Sequence, residues 1–122
     1  MKILESAEND LETIYILQSK NGSVRSVDIA NELSFSKPSV SVAMKKFRED
    51  GYINVDEFGN ISLTEKGEKI AIDMYERHHT IAKALIYLGV DEEVAYNDSC
   101  KIEHHISNLS FEKIKEFVDN LK

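Results

Sequence analysis

The chain has 122 residues, 42% of them hydrophobic and 30% charged, enough for one compact unit or a small head with a short second module. No stretch is long and apolar enough to cross a membrane, and the start Met1-Lys2-Ile3-Leu4-Glu5 lacks the basic flank and apolar core of a leader, so a cytoplasmic chain with no membrane partner is expected. A net charge of −7 argues against a uniformly basic nucleic-acid binder, and the one cysteine, Cys100, excludes an internal disulfide.

Capping residues and glycines divide the chain into elements. Ser6 is placed to cap a first helix running to about Ser19, with Leu11, Ile14 and Tyr15 as its apolar stripe and Gly22 past its end. Ser26 is placed to cap a short second helix containing Ile29, Ala30 and Leu33. After a tight Ser34-Phe35 link, Ser36 caps a third helix, with Pro38 in the first turn, where a missing N–H costs nothing, and Gly51 as its stop. Two short helices joined by a tight turn form the helix-turn-helix pattern. Tyr52-Ile53-Asn54-Val55 and Asn60-Ile61-Ser62-Leu63 then alternate as strands around a Phe58-Gly59 turn, which predicts a wing.

Thr64 opens a long helix to about Leu88, with Ile70, Met74, Ile81 and Leu85 at helical spacing and Gly89 behind it. Asp91 opens a helix predicted to continue to Ser107, and Ser110 opens a last one with Phe111, Ile114, Phe117, Val118 and Leu121. The expected fold is mainly α: a winged helix-turn-helix domain with a small β-wing over residues 1–64, then a helical module over 65–122.

The third helix carries the nucleic-acid reading. Ser36, Lys37, Pro38, Ser39, Ser41 and Val42 occupy early turns, which face the major groove when such a helix docks. Their hydroxyls suit phosphates or base edges, and Val42 suits a thymine methyl. Lys45, Lys46 and Arg48 read as phosphate contacts. Residues 36–54 hold four basic against two acidic side chains, a local balance of +2 within the acidic chain. From charge alone, an ordinary solvated face reads equally well. The order of helices and wing favours double-stranded DNA, and the lack of a bidentate Asn, Gln or Arg in the early turns predicts partly shape-read specificity.

Cys100, Glu103 and His104 stand at i, i+3 and i+4, which on one helix puts a thiol, a carboxylate and an imidazole on one face. His78 lies on the apolar face of the long helix, and Glu8 and Glu12 lie at i, i+4 on the first. Each has a plainer reading: His78 as a satisfied core histidine, Cys100 as packing, Glu8 and Glu12 as a solvated face. Together they supply a mixed O/N/S donor set suited to Fe(II), Mn(II), Co(II) or Zn(II). His79 and His105 are each one residue off these faces.

With these residues in place, the chain resembles the iron- and manganese-dependent repressors of the diphtheria toxin repressor family over nearly its whole length. The resemblance is carried by Leu11-Glu12-Thr13-Ile14-Tyr15, Asp28-Ile29-Ala30, Ser36-x-Pro38-Ser39-Val40-Ser41, Leu63-Thr64-x-x-Gly67 and Arg77-His78. Most specific is Tyr96-Asn97-Asp98 running into Ile102-Glu103-His104-His105. It implies a winged-helix homodimer that binds operator DNA when loaded with Fe(II) or Mn(II) and represses metal-uptake genes, its second module serving metal binding and dimerisation. The implied ligand positions are Asn9, Glu12, His78, Cys100, Glu103 and His104. Manganese-type members carry a carboxylate at the position of Cys100, whereas iron-type members carry cysteine, and thiolate disfavours hard Mn(II). At Asn9 the manganese type has Asp and the iron type Met, which leaves Glu8 or Asp10 as substitutes. The iron type's additional site is incomplete, with Ala82 and Tyr96 in ligand positions, and its SH3-like domain is absent from these residues.

Two other readings stay open. One keeps the winged helix but senses redox state through Cys100. The other is a helical metalloenzyme or storage protein, disfavoured because only one Cys-x-x-Glu-His face is present and no zinc-protease signature or phosphate-cradling loop occurs. The chain is therefore not expected to be an enzyme.

Overall fold

The structure is a computed structural model that describes residues 5–121. The N-terminal reading at Met1 to Leu4 lies outside the described residues. Six helices and one hairpin follow in order: α1 (Glu5–Asn21), α2 (Ser26–Leu33), α3 (Lys37–Glu49), β1 (Ile53–Val55), β2 (Ile61–Leu63), α4 (Glu65–Tyr87), α5 (Glu92–Ile102) and α6 (Asn108–Asp119). Among the described residues, no helix is long and apolar enough to cross a membrane. The chain divides into two compact units, Met1–Ile72 and Asp73–Lys122, so the division falls inside α4.

The first unit is built on one apolar core. Leu11, Ile14 and Leu17 of α1, Ile29 and Ala30 of α2, Val40, Met44 and Phe47 of α3, Ile53 and Ile61 of the hairpin and Ala71 of α4 form one buried cluster with Val24. The hairpin pairs Ile53 with Leu63, Asn54 with Ser62 and Val55 with Ile61, antiparallel, so Ile53 and Ile61 enter the core while Asn54 and Ser62 stay in water. An isolated bridge from Val24 to Ile61, with Ile61 N–H donating to Val24 O at 2.7 Å, adds a third chain to its edge.

Local chemistry explains most of the ends. Ser36 accepts from the Ser39 amide at 3.3 Å and Pro38 sits in the first turn of α3. Gly22, Gly51 and Gly89 follow α1, α3 and α4 at positive φ. Ser34 adopts a left-handed conformation (φ 57°), which makes the tight link between α2 and α3. Asp56 closes the wing by accepting from the Phe58 and Asn60 amides, both at 2.9 Å.

Four predicted boundaries move. Ser6 lies inside α1, which continues to Asn21. Arg25, not Ser26, caps α2, because Asp28 reaches back to the Arg25 amide at 2.9 Å. The helix carrying Cys100 ends at Ile102 instead of Ser107, so Glu103 and His104 stand in the turn beyond it. Ser107, not Ser110, caps α6: its hydroxyl accepts from the Ser110 amide at 3.2 Å.

The hairpin is locked to α4 at one close approach. Thr64 Oγ1 donates to Gly51 O at 2.7 Å and accepts from the Gly67 amide at 3.2 Å, while the Thr64 amide donates to Tyr52 O. A Cβ at Gly67 would stand 2.1 Å from Tyr52 O, a backbone atom that cannot swing aside. Gly67→Ala should therefore destabilise the protein by about 2–3 kcal/mol, as overpacking does elsewhere, read as a lowered urea midpoint. A midpoint at or above that of the parent chain would contradict this packing.

Candidate metal centre

Three donors of different chemistry converge in the second unit. One ligand atom each from His78 of α4, Cys100 of α5 and Glu103 just past α5 lies within 4.8 Å of the others. Two ligands of one transition-metal ion stand at most about 4.4 Å apart for bonds near 2.0–2.3 Å, so small side-chain adjustments bring this set to bonding distance.

Glu103 is the centre of the arrangement. Its carboxylate is fully buried, and its two oxygens are used differently. Oε2 lies 2.9 Å from His78 Nδ1. An ionised carboxylate only accepts, so that contact assigns the proton to Nδ1. Ser99, also fully buried, supports this tautomer: its hydroxyl donates to Tyr96 O at 2.9 Å and its oxygen lies 3.1 Å from His78 Nδ1. Oε1 accepts no hydrogen bond from the described residues and lies 3.3 Å from His104 Nε2, on a side chain only 1% exposed. A buried carboxylate oxygen with no donor is costly in an apolar interior and natural beside a cation. The imidazole, thiol and carboxylate set together with this oxygen fits a divalent transition metal.

Aromatic side chains wall the site. Tyr96 packs on both His78 and His79, at centroid distances of 5.4 and 5.6 Å, and Tyr75 lies 4.3 Å from His79. Burial, followed by the charges of His78 and Lys83, holds the His79 imidazole below its ordinary pKa. It makes a 3.3 Å contact to the Tyr96 hydroxyl.

The remaining candidates are on other elements. Asn9 and Glu12 lie on α1 in the first unit, Asn9 half-buried and Glu12 buried, and the convergent trio does not include them. Asp10 is half-buried, and desolvation pushes its carboxyl up to about 6. On α3, Ser36, Lys37, Pro38, Ser39, Ser41, Val42, Lys45 and Lys46 are all exposed, with Val42 at 70%, while Val40, Met44 and Phe47 face the core. The Ser36 hydroxyl is engaged in the cap, donating to Ser39 Oγ at 2.8 Å.

Arg77 and Ser99 were not singled out as site residues from sequence. Arg77 is buried, and its Nη1 donates to the carbonyls of Glu103 and Ile106 at 3.1 and 3.0 Å. A signal existed for it: Arg77 stands three after Met74 and four before Ile81, a cation on an apolar stripe. Ser99 carried no such signal, since a buried serine and a surface serine read alike in one sequence.

Comparison with known proteins identifies the family. The family model described as "Iron dependent repressor, N-terminal DNA binding domain" matches residues 2–59, and "Iron dependent repressor, metal binding and dimerisation domain" matches residues 64–122. The chain is 39% identical over 113 residues to the HTH-type transcriptional regulator MntR of Lysinibacillus sphaericus, covering 93% of this chain and 81% of the relative. It is 33% identical over 120 residues to an uncharacterized HTH-type transcriptional regulator of Methanocaldococcus jannaschii, covering 97% and 96%. Among solved structures, the manganese regulator SloR superposes with a TM-score of 0.80 at 26% identity, covering 95% of this chain and 54% of that one. The metal-dependent transcriptional regulator MtsR gives 0.84 at 24% identity over 93% and 53%, a likeness of fold. This chain thus spans about half the length of these two solved structures. On these matches and the two-unit architecture, the chain belongs to the iron-dependent repressor family.

Proposed function

We propose that this protein is a metal-dependent, DNA-binding transcriptional regulator whose ligands include His78, Cys100, Glu103 and His104, and that it acts as a homodimer repressing metal-uptake genes. The observation that carries the reading is the buried Glu103 carboxylate in one cluster with His78 and Cys100, one oxygen on His78 and the other accepting no hydrogen bond from the described residues. The family resemblance extends the ligand set to Asn9 and Glu12, with Glu8 and Asp10 as substitutes for Asn9. When bound, the ion supplies a dipositive centre that neutralises Glu103 and links its donors. The Cys100 thiolate favours Fe(II) over Mn(II), so iron is proposed as the stronger cue.

The exposed face of α3 supplies the DNA contact. Lys37, Lys45 and Lys46 hold phosphates, and Ser39, Ser41 and Val42 face base edges. In a dimer, two such helices must meet groove faces about 34 Å apart, so any constraint on their separation changes operator affinity. The proposed ligands include Glu12, before the reading helices in the chain, and His104, after them. A coupling of about 1–3 kcal/mol, or about 5- to 150-fold in affinity, is ordinary for such a linkage.

Two measurements test the reading. Anaerobic fluorescence anisotropy on DNA from upstream of its own gene, at fixed salt, should show at least about tenfold tighter binding with Fe(II) than with chelator, and a smaller gain with Mn(II). His104→Ala and Glu12→Ala should each lose the gain while keeping the chelator-state affinity. Equal affinity with and without metal in the parent chain would refute metal gating. Separately, Glu103→Gln removes an anion from an apolar interior but keeps an acceptor for His78. Its metal-free form should melt no lower than the parent chain. It should also lose the metal-induced stabilisation, which for the parent chain is about 2.7 kcal/mol at a hundredfold excess over Kd. Metal raising the melting temperature of Glu103→Gln as much as that of the parent would remove Glu103 from the ligand set.

A further inference from the structure

The segment from Glu103 to Ser107 holds no glycine or proline, yet α5 stops at Ile102. The terminator is tertiary. In a continuing helix, the Glu103 and Ile106 carbonyls would accept from the amides of residues 107 and 110. Arg77 Nη1 takes both carbonyls instead, and the Ser110 amide goes to Ser107 Oγ. Nη2 donates to Asn108 Oδ1, on the first residue of α6, and the guanidinium lies 5.2 Å from the centroid of the Phe111 ring. Nε is 3.5 Å from Asp73 Oδ2. One buried guanidinium therefore ties together the end of α5, the turn bearing Glu103 and His104, and the start of α6, from the helix position next to His78.

We propose that Arg77 is a positioning residue for the metal centre: it sets the turn that aims Glu103 and His104, and through Asn108 and Phe111 it makes the docking of α6 a condition of that aim. The proposal rests on the reading of His78, Cys100 and Glu103 as a metal centre. It has a consequence that a general stability role lacks. Cys100 lies within α5, before the turn, so its thiolate is presented without Arg77, whereas Glu103 and His104 are not. Lysine keeps the charge but offers a point of charge in place of a planar fork, and cannot serve two carbonyls and an amide oxygen in this geometry.

The test is an anaerobic Co(II) titration of the full chain, parent beside Arg77→Lys, Asn108→Ala and Cys100→Ser. It follows the thiolate-to-cobalt charge-transfer band and the d–d bands, with urea unfolding of each metal-free protein in parallel. Arg77→Lys should need at least about tenfold more Co(II), the cost typical of losing a group that orients ligands. At saturation it should retain the thiolate band with altered d–d bands. Asn108→Ala should shift in the same direction by a smaller factor, and it carries the test alone should Arg77→Lys fail to fold. Parent affinity and parent d–d bands in the folded variants would overturn the proposal, as would an affinity loss no larger than their lowered metal-free stability explains. The parent and Cys100→Ser separate this from the underlying reading. A parent chain without a thiolate band removes the metal centre and the proposal together. A band present in the parent and absent in Cys100→Ser keeps the centre, whichever way Arg77 falls.

Discussion

A carboxylate shut away from water constrains the second unit of this protein. Glu103 is fully buried, and an ionised carboxyl in such a place is tolerated only when something offsets its lost hydration. His78 answers one oxygen, in a tautomer that Ser99 also supports. The other oxygen lies 3.3 Å from His104 Nε2, and the Cys100 thiol belongs to the same donor cluster. Partial satisfaction of this kind lowers stability where nothing binds, and raises it where a cation completes the set. Burial of Glu103 and the choice of His78 tautomer are thus one physical arrangement.

The first unit has a different task, presenting a rigid surface. Its core draws on both helices of the helix-turn-helix, the hairpin and the start of α4, so α3 is held along Val40, Met44 and Phe47 while its opposite side stays in water. The Thr64 bonds to Gly51 and Gly67, and the approach of Gly67 to Tyr52, lock the hairpin to the first turn of α4. Within a chain of net charge −7, α3 carries a local excess of basic residues, the face proposed for DNA. Phosphate contacts from such a face are salt-sensitive.

Much of this was legible in the residues. Ser36 with Pro38, Thr64, and the glycines after α1, α3 and α4 mark ends by local chemistry, and the alternation in Ile53 to Val55 and Ile61 to Leu63 gives the hairpin. Cys100, Glu103 and His104 were legible as a candidate donor set because a thiol, a carboxylate and an imidazole are uncommon at one helical spacing, with His78 added from another helix. What failed was the assumption that Glu103 and His104 continue the helix of Cys100. The stop after Ile102 comes from a guanidinium 26 positions earlier in the chain, at Arg77, and no local signal encodes it. The same carbonyl capture frees Ser107 to cap α6, so the misplaced cap at Ser110 and the overextended α5 are one error with one cause. At Arg25 the cause was local but reversed, since the reach of Asp28 back to the amide sets the start of α2.

The central claim is that Cys100 and its neighbours bind one ion directly. X-ray absorption at the metal edge of the Fe(II)-loaded protein tests it without reference to DNA. The account predicts one sulfur scatterer per bound iron among nitrogen and oxygen neighbours, with the sulfur lost in Cys100→Ser. A shell of nitrogen and oxygen alone in the parent chain would place the ion away from Cys100 and contradict the site described.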